Sequence, residues 1–272
     1  MGKVEQKAQK VVVISGKSSG LGSSLAEIFE KNNFVVIGLS RTKTDDLSYV
    51  CDVTDFSQVD KAINDIALKY GKIDVLINNA GYGVSGATEL ICNEEIKREY
   101  DVNILGCINC YKSALKYMPK GSKIINISSA CALFPLPYRS LYCSSKAGLH
   151  QLSLSLNMEC KPLGVEVISV CPGDIKTNFT KNRVKVFETN DRYKDRIQNA
   201  TLAIDSREDK RMDVSIPTKK IYKIATRKKN KPFVIIGAKY KLLYFAMRFL
   251  PKSVLLQYTE KFFGGHKKKE YK

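Results

Sequence analysis

The chain has no tryptophan, only two histidines (His150 and His266) and few acids, with 27 Asp+Glu against 45 Lys+Arg in 272 residues. Two histidines cannot build a His-rich metal centre. The single C-x-x-C, Cys107-Ile108-Asn109-Cys110, lies inside a run of helical periodicity and has no second ligand pair. No metal is therefore expected, and these thiols read as buried structural cysteines. The eight cysteines (Cys51, Cys92, Cys107, Cys110, Cys131, Cys143, Cys160 and Cys171) follow no framework spacing, and no secretory signal precedes them. Reduced thiols in a cytoplasmic protein are the expectation. No apolar run reaches the roughly 18 residues needed to cross a bilayer. Gln6 stands where myristoylation after Met1-Gly2 needs Ser or Thr.

The scarcity of acid is concentrated at one end. Net charge is +18, and from Asp205 onward 19 Lys+Arg face only 6 Asp+Glu. Such a stretch suits membrane headgroups, nucleic acid or a phosphorylated cofactor, and a merely solvated basic surface suits it as well. No recognition module or set of stacking aromatics accompanies the charge, so nucleic acid is not the expected partner. Hydrophobic residues make up 44% of the chain, which excludes a disordered composition. With no repeat, low-complexity segment or linker, one domain over residues 1–272 is expected.

What is present alternates. Residues 11–14, 34–39, 49–51, 74–77, 123–127, 165–170 and 233–236 are short apolar runs that read as buried strands. Helical periodicity fills 56–70, 94–118 and 140–160, and the gap of about ten residues before the third strand leaves room only for a loop or a turn. Strand alternating with helix predicts an α/β fold: a doubly wound parallel sheet with helices on both faces.

Three local patterns carry chemistry. After the first strand, Ser15-Gly16-Lys17-Ser18-Ser19-Gly20-Leu21-Gly22 opens a helix. Glycines there allow a tight turn and a close backbone approach to a diphosphate, which the helix N-terminus attracts. At the end of the second strand, Ser40-Arg41 places a guanidinium and no carboxylate where an adenosine ribose would sit. That favours a 2′-phosphate, and hence NADP(H) over NAD(H), with Lys17 and Lys43 as further candidates for the patch. In Tyr142-x-x-x-Lys146 the two side chains share a helix face, so the ammonium can approach the phenol and lower its pKa. Ser129, thirteen residues earlier at a strand end, could hold a substrate oxygen.

With Asp52-Val53, Asn78-Asn79-Ala80-Gly81, Asn103 and Pro172-Gly173 added, the chain resembles the short-chain dehydrogenase/reductases from about residue 10 to 177. The resemblance implies a Rossmann-type fold with a seven-stranded parallel sheet, and hydride transfer between a nicotinamide cofactor and a carbonyl or alcohol. Carried over, Tyr142 is the proton donor or acceptor, Lys146 tunes it and binds the nicotinamide ribose, Ser129 polarises the carbonyl and Asn103 holds a relay water. Asp52 and Val53 flank the adenine, and Asn78, Asn79 and Ala80 line the ribose. Pro172, Gly173, Ile175 and Thr177 hold the carboxamide. Ser15 replaces the usual threonine. The short 41–52 segment resembles the branch acting on steroids, retinoids and related lipophilic alcohols.

Substrate contacts are expected beyond Thr177, in a lid and basic C-terminal region over residues 178–272. Residues 240–250, with Val254-Leu255-Leu256 and Phe262-Phe263, mix apolar and aromatic side chains with Lys239, Lys241, Arg248, Lys252 and Lys261. They could lie on a membrane surface, cap a lipophilic pocket, pack on the domain, or join a homodimer or homotetramer. The expected function is an NADP-dependent oxidoreductase. The competing reading, a catalytically silent nucleotide sensor or membrane-surface scaffold, would show a missing Tyr, Lys or Ser.

Overall fold

The β-branched runs form the strands that their burial demands. The computed structural model describes residues 9–180, 182–206, 211–247 and 249–264. The N-terminal residues 1–8, Arg248 and the tail from 265, His266 included, lie outside this range. In chain order the strands are β1 (Val11–Ser15), β2 (Val35–Ser40), β3 (Ser48–Val50), β4 (Val75–Asn78), β5 (Val84–Ser85), β6 (Lys123–Ile127), β7 (Glu166–Pro172), β8 (Val184–Lys185) and β9 (Phe233–Ile236). Seven of them make one parallel sheet in the order β3-β2-β1-β4-β6-β7-β9. The order reverses between β1 and β4, and the crevice at the carboxyl ends of the strands opens there.

The helices are α1 (Gly20–Glu30), α2 (Phe56–Tyr70), α3 (Asn93–Tyr100), α4 (Gly106–Ala114), α5 (Ser140–Cys160), α6 (Arg196–Asp205), α7 (Ser215–Thr226), α8 (Ala238–Ala246) and α9 (Lys252–Phe263). Val11 and Val13 of β1 face a core shared with α2, α4 and α5. Val12 and Ile14 face the opposite core, shared with α1 and α7. Both faces of β1 are thus buried, which is why its sequence shows no polar alternation.

Two features differ from the sequence expectation. The helix expected over 94–118 is broken: α3 ends at Tyr100, a π turn occupies Asp101–Leu105, α4 follows, and a 3-10 turn, Leu115–Tyr117, ends the run. One wider turn leaves the apolar periodicity almost intact, so the sequence conceals it. The second feature is the parallel pair β5-β8, which ties the segment after Thr177 to the core. Runs of two residues carry no periodic signal.

Beyond β9, Pro251 separates α8 from α9 as expected. Leu255 and Thr259 of α9 are buried, and Tyr244 packs edge-on against Phe233 at 5.8 Å. Leu242, Phe245, Phe249, Leu256 and Phe262 remain exposed. Packing on the domain therefore accounts for part of this region. Among the described residues, no helix is long and apolar enough to cross a membrane.

Candidate active site

A cleft of about 600 Å³ runs along the carboxyl ends of the central strands. At one end the Ser15 hydroxyl accepts hydrogen bonds from the backbone N–H groups of Asn79 (3.0 Å) and Ala80 (3.1 Å). The Asn79 amide donates to the carbonyls of Ser15 and Gly16, both at 3.1 Å. These bonds lock the loop after β1 to the loop after β4. Gly16 has φ +69°, and a Cβ there would lie 2.9 Å from Ala80 Cα, so the turn requires glycine. No side chain caps the start of α1, and no acid occupies its first turn. Its N–H groups are left for an anion in the cleft.

Of the expected cofactor residues, Gly16, Ser18, Ser19, Gly20, Leu21, Ser40, Arg41, Asp52, Val53, Asn79, Ala80, Pro172, Gly173, Ile175 and Thr177 line this cleft. Gly22 lies behind the loop, in contact with it. Asn78 is buried in β4, donating to Asn126 Oδ1 at 2.8 Å, and serves the sheet. Lys17 does not join the patch at Arg41. It is buried against Gly38 and pairs with Asp45 at 2.6 Å. That contact spans 28 residues of sequence, beyond the reach of local pattern reading. Lys43 pairs with Asp46 at 3.5 Å. Asp52 Oδ1 accepts from the N–H and hydroxyl of Thr54 at 2.9 and 2.8 Å, fixing the loop after β3.

At the other end stand Ser129, Tyr142 and Lys146. Ser129 leaves β6 in an extended conformation, and its hydroxyl faces the Tyr142 phenol. Tyr142 and Lys146 lie one turn apart on α5, as their spacing predicts. The Lys146 ammonium is buried, donates to the Ile127 carbonyl at 3.0 Å and lies 6.0 Å from the tyrosine ring centroid. Burial pushes its pKa down. Burial also pushes the Tyr142 phenol up, against the pull of Arg139, Ser129 and Arg183. The two arginines were not among the expected site residues. Lys146 thus ties α5 to the backbone of β6 while its ammonium faces the tyrosine ring.

Asn103 sits in the π turn, fully buried. Its Oδ1 accepts from the Tyr82 N–H and its Nδ2 donates to the Tyr82 carbonyl, both at 2.9 Å. A methyl group on Gly81 would lie 3.6 Å from Asn103 Oδ1 and 3.7 Å from Lys146 Nζ, so both side chains border the same space beside Gly81. Sequence reading missed Glu99 beneath them. Its carboxyl is fully buried and accepts from the Val84 N–H (2.8 Å), Asn103 Nδ2 (2.5 Å) and the Ser145 hydroxyl (3.1 Å). An acid four residues before Asn103 in a helical run is the only signal that could have found it.

Burial raises the Glu99 pKa from 4.5 to about 7, against the help of the Val84 N–H and Ser145. Folded Glu99 thus keeps its proton to higher pH than an unfolded glutamate. Stability is expected to fall by up to about 3 kcal/mol as pH rises from 4.5 to 7. Glu99→Gln should flatten that part of the profile. Thermal melts from acid to neutral pH check this, and parallel profiles for the two proteins would refute it.

The glycine loop, the sheet order and the Tyr142–Lys146 pair are accompanied by a match of residues 10–186 to the family model described as short chain dehydrogenase. The chain belongs to the short-chain dehydrogenase family. Within it, the chain is 38% identical over 180 residues to 3-ketodihydrosphingosine reductase of Bacteroides thetaiotaomicron, covering 64% of this chain and 67% of that protein. It is 28% identical over 268 residues to NADPH-dependent 3-dehydrocapnine reductase of Ornithobacterium rhinotracheale, covering 90% and 94%. Among solved structures, a short-chain dehydrogenase from Streptomyces avermitilis superimposes with a TM-score of 0.78 at 27% identity, covering 94% of this chain and 96% of that one. As a short-chain dehydrogenase, the chain is an oxidoreductase that takes a nicotinamide cofactor and a small-molecule substrate.

Proposed function

We propose that this short-chain dehydrogenase uses NADP(H) to interconvert a lipophilic carbonyl compound and its secondary alcohol. The observation that carries the proposal is one continuous cleft with Arg41 and the α1 N-terminus at one end and Tyr142, Ser129 and Lys146 at the other. The glycine cradle and the uncapped helix end fit a diphosphate. Arg41 is exposed at the mouth without an ion-pair partner among the described residues, and Asp45, the acid nearest in sequence, is engaged by Lys17. The cofactor supplies the hydride when bound.

The chain's own groups manage the oxygen and its proton. In the reductive direction the Ser129 hydroxyl donates to the substrate oxygen and Tyr142 transfers its proton to it. In the oxidative direction the same phenol oxygen receives the proton. Lys146, oriented by the Ile127 carbonyl, holds positive charge beside the pair. Asn103, clamped by Tyr82 and Glu99, keeps that corner rigid. Phe179, with its ring centroid 5.8 Å from that of Tyr142, and Ile127 supply an apolar wall. The silent-scaffold reading would show a missing Tyr, Lys or Ser, and the sequence carries Tyr142, Lys146 and Ser129.

The preference for NADP(H) rests on Arg41 and agrees with the cofactor in the name of the Ornithobacterium relative. Fluorescence titration is expected to show NADPH binding at least about tenfold more tightly than NADH, with Arg41→Ala removing most of the difference. Equal affinities in the unaltered protein would overturn the preference. NADPH consumption across a panel of ketones tests the reaction itself.

A further inference from the structure

Two arginines flank Tyr142 without a carboxylate partner. Arg139, the residue before α5, is 4% exposed and stacks its guanidinium 4.9 Å from the tyrosine ring. Arg183, the residue before β8, is 7% exposed, with its stem against Gly83. Both line the cleft, and the Nε of each is buried without a hydrogen-bond partner. Among the described residues, no carboxylate lies within 4.0 Å of either guanidinium. The nearby acids have other partners, with only Asp205 Oδ1 left buried and without a hydrogen bond among the described residues. Asp205 pairs with Lys185 at 2.6 Å and reaches Arg211 at 3.9 Å, Asp174 accepts from the Tyr240 hydroxyl at 2.9 Å, and Glu99 serves Val84, Asn103 and Ser145. The other titratable groups facing the pair are Tyr142 itself and the Cys131 and Cys143 thiols.

A buried, unpaired cation is costly unless it has a ligand. Burial, and then the neighbouring Arg139, push Arg183 down to about 10, against the pull of Tyr142 and Asp205, whereas Arg139 is held above its ordinary value, against burial, by Cys131, Tyr142, Cys143 and Asp174. The pairing β5-β8 sets the position: Val184 N–H bonds the Gly83 carbonyl at 3.0 Å, which fixes the residue immediately before it. A 2′-phosphate at Arg41 does not account for the pair. Arg41 follows β2, whereas Ser129 follows β6, three strands away in the sheet order, a span of about 14 Å.

We propose that Arg139 and Arg183 form an oxyanion-binding subsite for the substrate, so that the carbonyl compound carries a carboxylate, sulfonate or phosphate group close to the reacting carbon. This rests on the proposed carbonyl–alcohol reaction only in assigning the anion to a substrate. The subsite would dock the anion between the two forks and so aim the carbonyl at Tyr142 and Ser129. Because Arg183 is held for a ligand and not for the fold, replacing it with an apolar side chain is expected to stabilise the protein.

The test is calorimetric titration of the NADP+-loaded protein with acetate, methanesulfonate and methylphosphonate. At least one is expected to bind at millimolar concentration, and the preferred probe identifies the anion class. Arg183→Gln and Arg139→Gln should each weaken that binding about tenfold or more, Arg183→Lys less, and Arg41→Ala should leave it unchanged. Arg183→Met should raise the melting midpoint by about 2 °C or more, and that readout needs no ligand. Absence of binding by all three probes, or binding lost in Arg41→Ala and kept in Arg183→Gln, would overturn the subsite. No turnover is needed for any of these measurements. If the anion binds but no ketone consumes NADPH, the proposed carbonyl reduction falls and the subsite stands. If neutral ketones are reduced and no anion binds, the reverse holds.

Discussion

Replacing Tyr142 with phenylalanine is expected to lower turnover by about 10²- to 10⁴-fold while NADPH affinity changes less than about twofold. The side chain is 8% exposed, with the Arg139 guanidinium 4.9 Å away on one side and the Phe179 ring 5.8 Å away on another. A phenylalanine ring fills the same space, so packing is kept and only the hydroxyl goes. That hydroxyl faces Ser129, and burial raises its pKa, which keeps it protonated across the neutral range. The loss should therefore fall on kcat, with KM nearly unchanged. Pre-steady-state NADPH oxidation with the best substrate of a ketone panel measures it. A variant retaining a tenth or more of the activity would show that another group delivers the proton.

Gly22→Ala is expected to weaken NADPH binding by roughly 100-fold and to lower the melting midpoint as well. A Cβ at Gly22 would lie 2.1 Å from the Gly16 carbonyl oxygen, 2.9 Å from its carbonyl carbon and 2.8 Å from the Asn79 amide nitrogen. None of these is the loose end of a flexible side chain. One is the backbone of the diphosphate loop, and the other is the amide that clamps that loop to β4. The loop or α1 must move outward, and either motion withdraws the helix N–H groups from the cleft. A loss of about 100-fold corresponds to about 3 kcal/mol, within the range for overpacking against backbone. Titration of the variant with NADPH, together with its melting curve, decides the matter. Affinity within a few-fold of the unaltered protein would mean that the loop absorbs the methyl group without cost.

The legible parts of this molecule are those written in short spans of sequence. Residues 11–14 betray β1 because both its faces are buried, and glycines at 16, 20 and 22 betray the loop because each answers a backbone requirement. Tyr142 and Lys146 share a face by helix geometry alone. What stayed hidden depends on partners distant in the chain. Lys17 looked available for a phosphate until the fold brought Asp45 to it. Arg183 sat unnoticed in a polar stretch, and only the pairing of β8 with β5 sets it beside Tyr142. Glu99 carries no mark of its own in the helical run, although the folded chain buries its carboxyl completely. The shared property of these three is that their environment is made by other segments, which no local pattern records.

The π turn at Asp101–Leu105 makes the run from Asn93 to Ala114 a ruler as much as a helix. Upstream of it Glu99 must reach Val84, and downstream of it Gly106 must pass so close to Val53 that a Cβ there would lie 2.7 Å from a methyl carbon. The wider turn takes up the one residue by which an unbroken α-helix would miss one of those two appointments. Many single replacements on the outer face should pass unnoticed there, whereas adding or removing one residue would rotate one half by about 100° relative to the other. Divergence along this stretch is thus constrained in length more strictly than in composition.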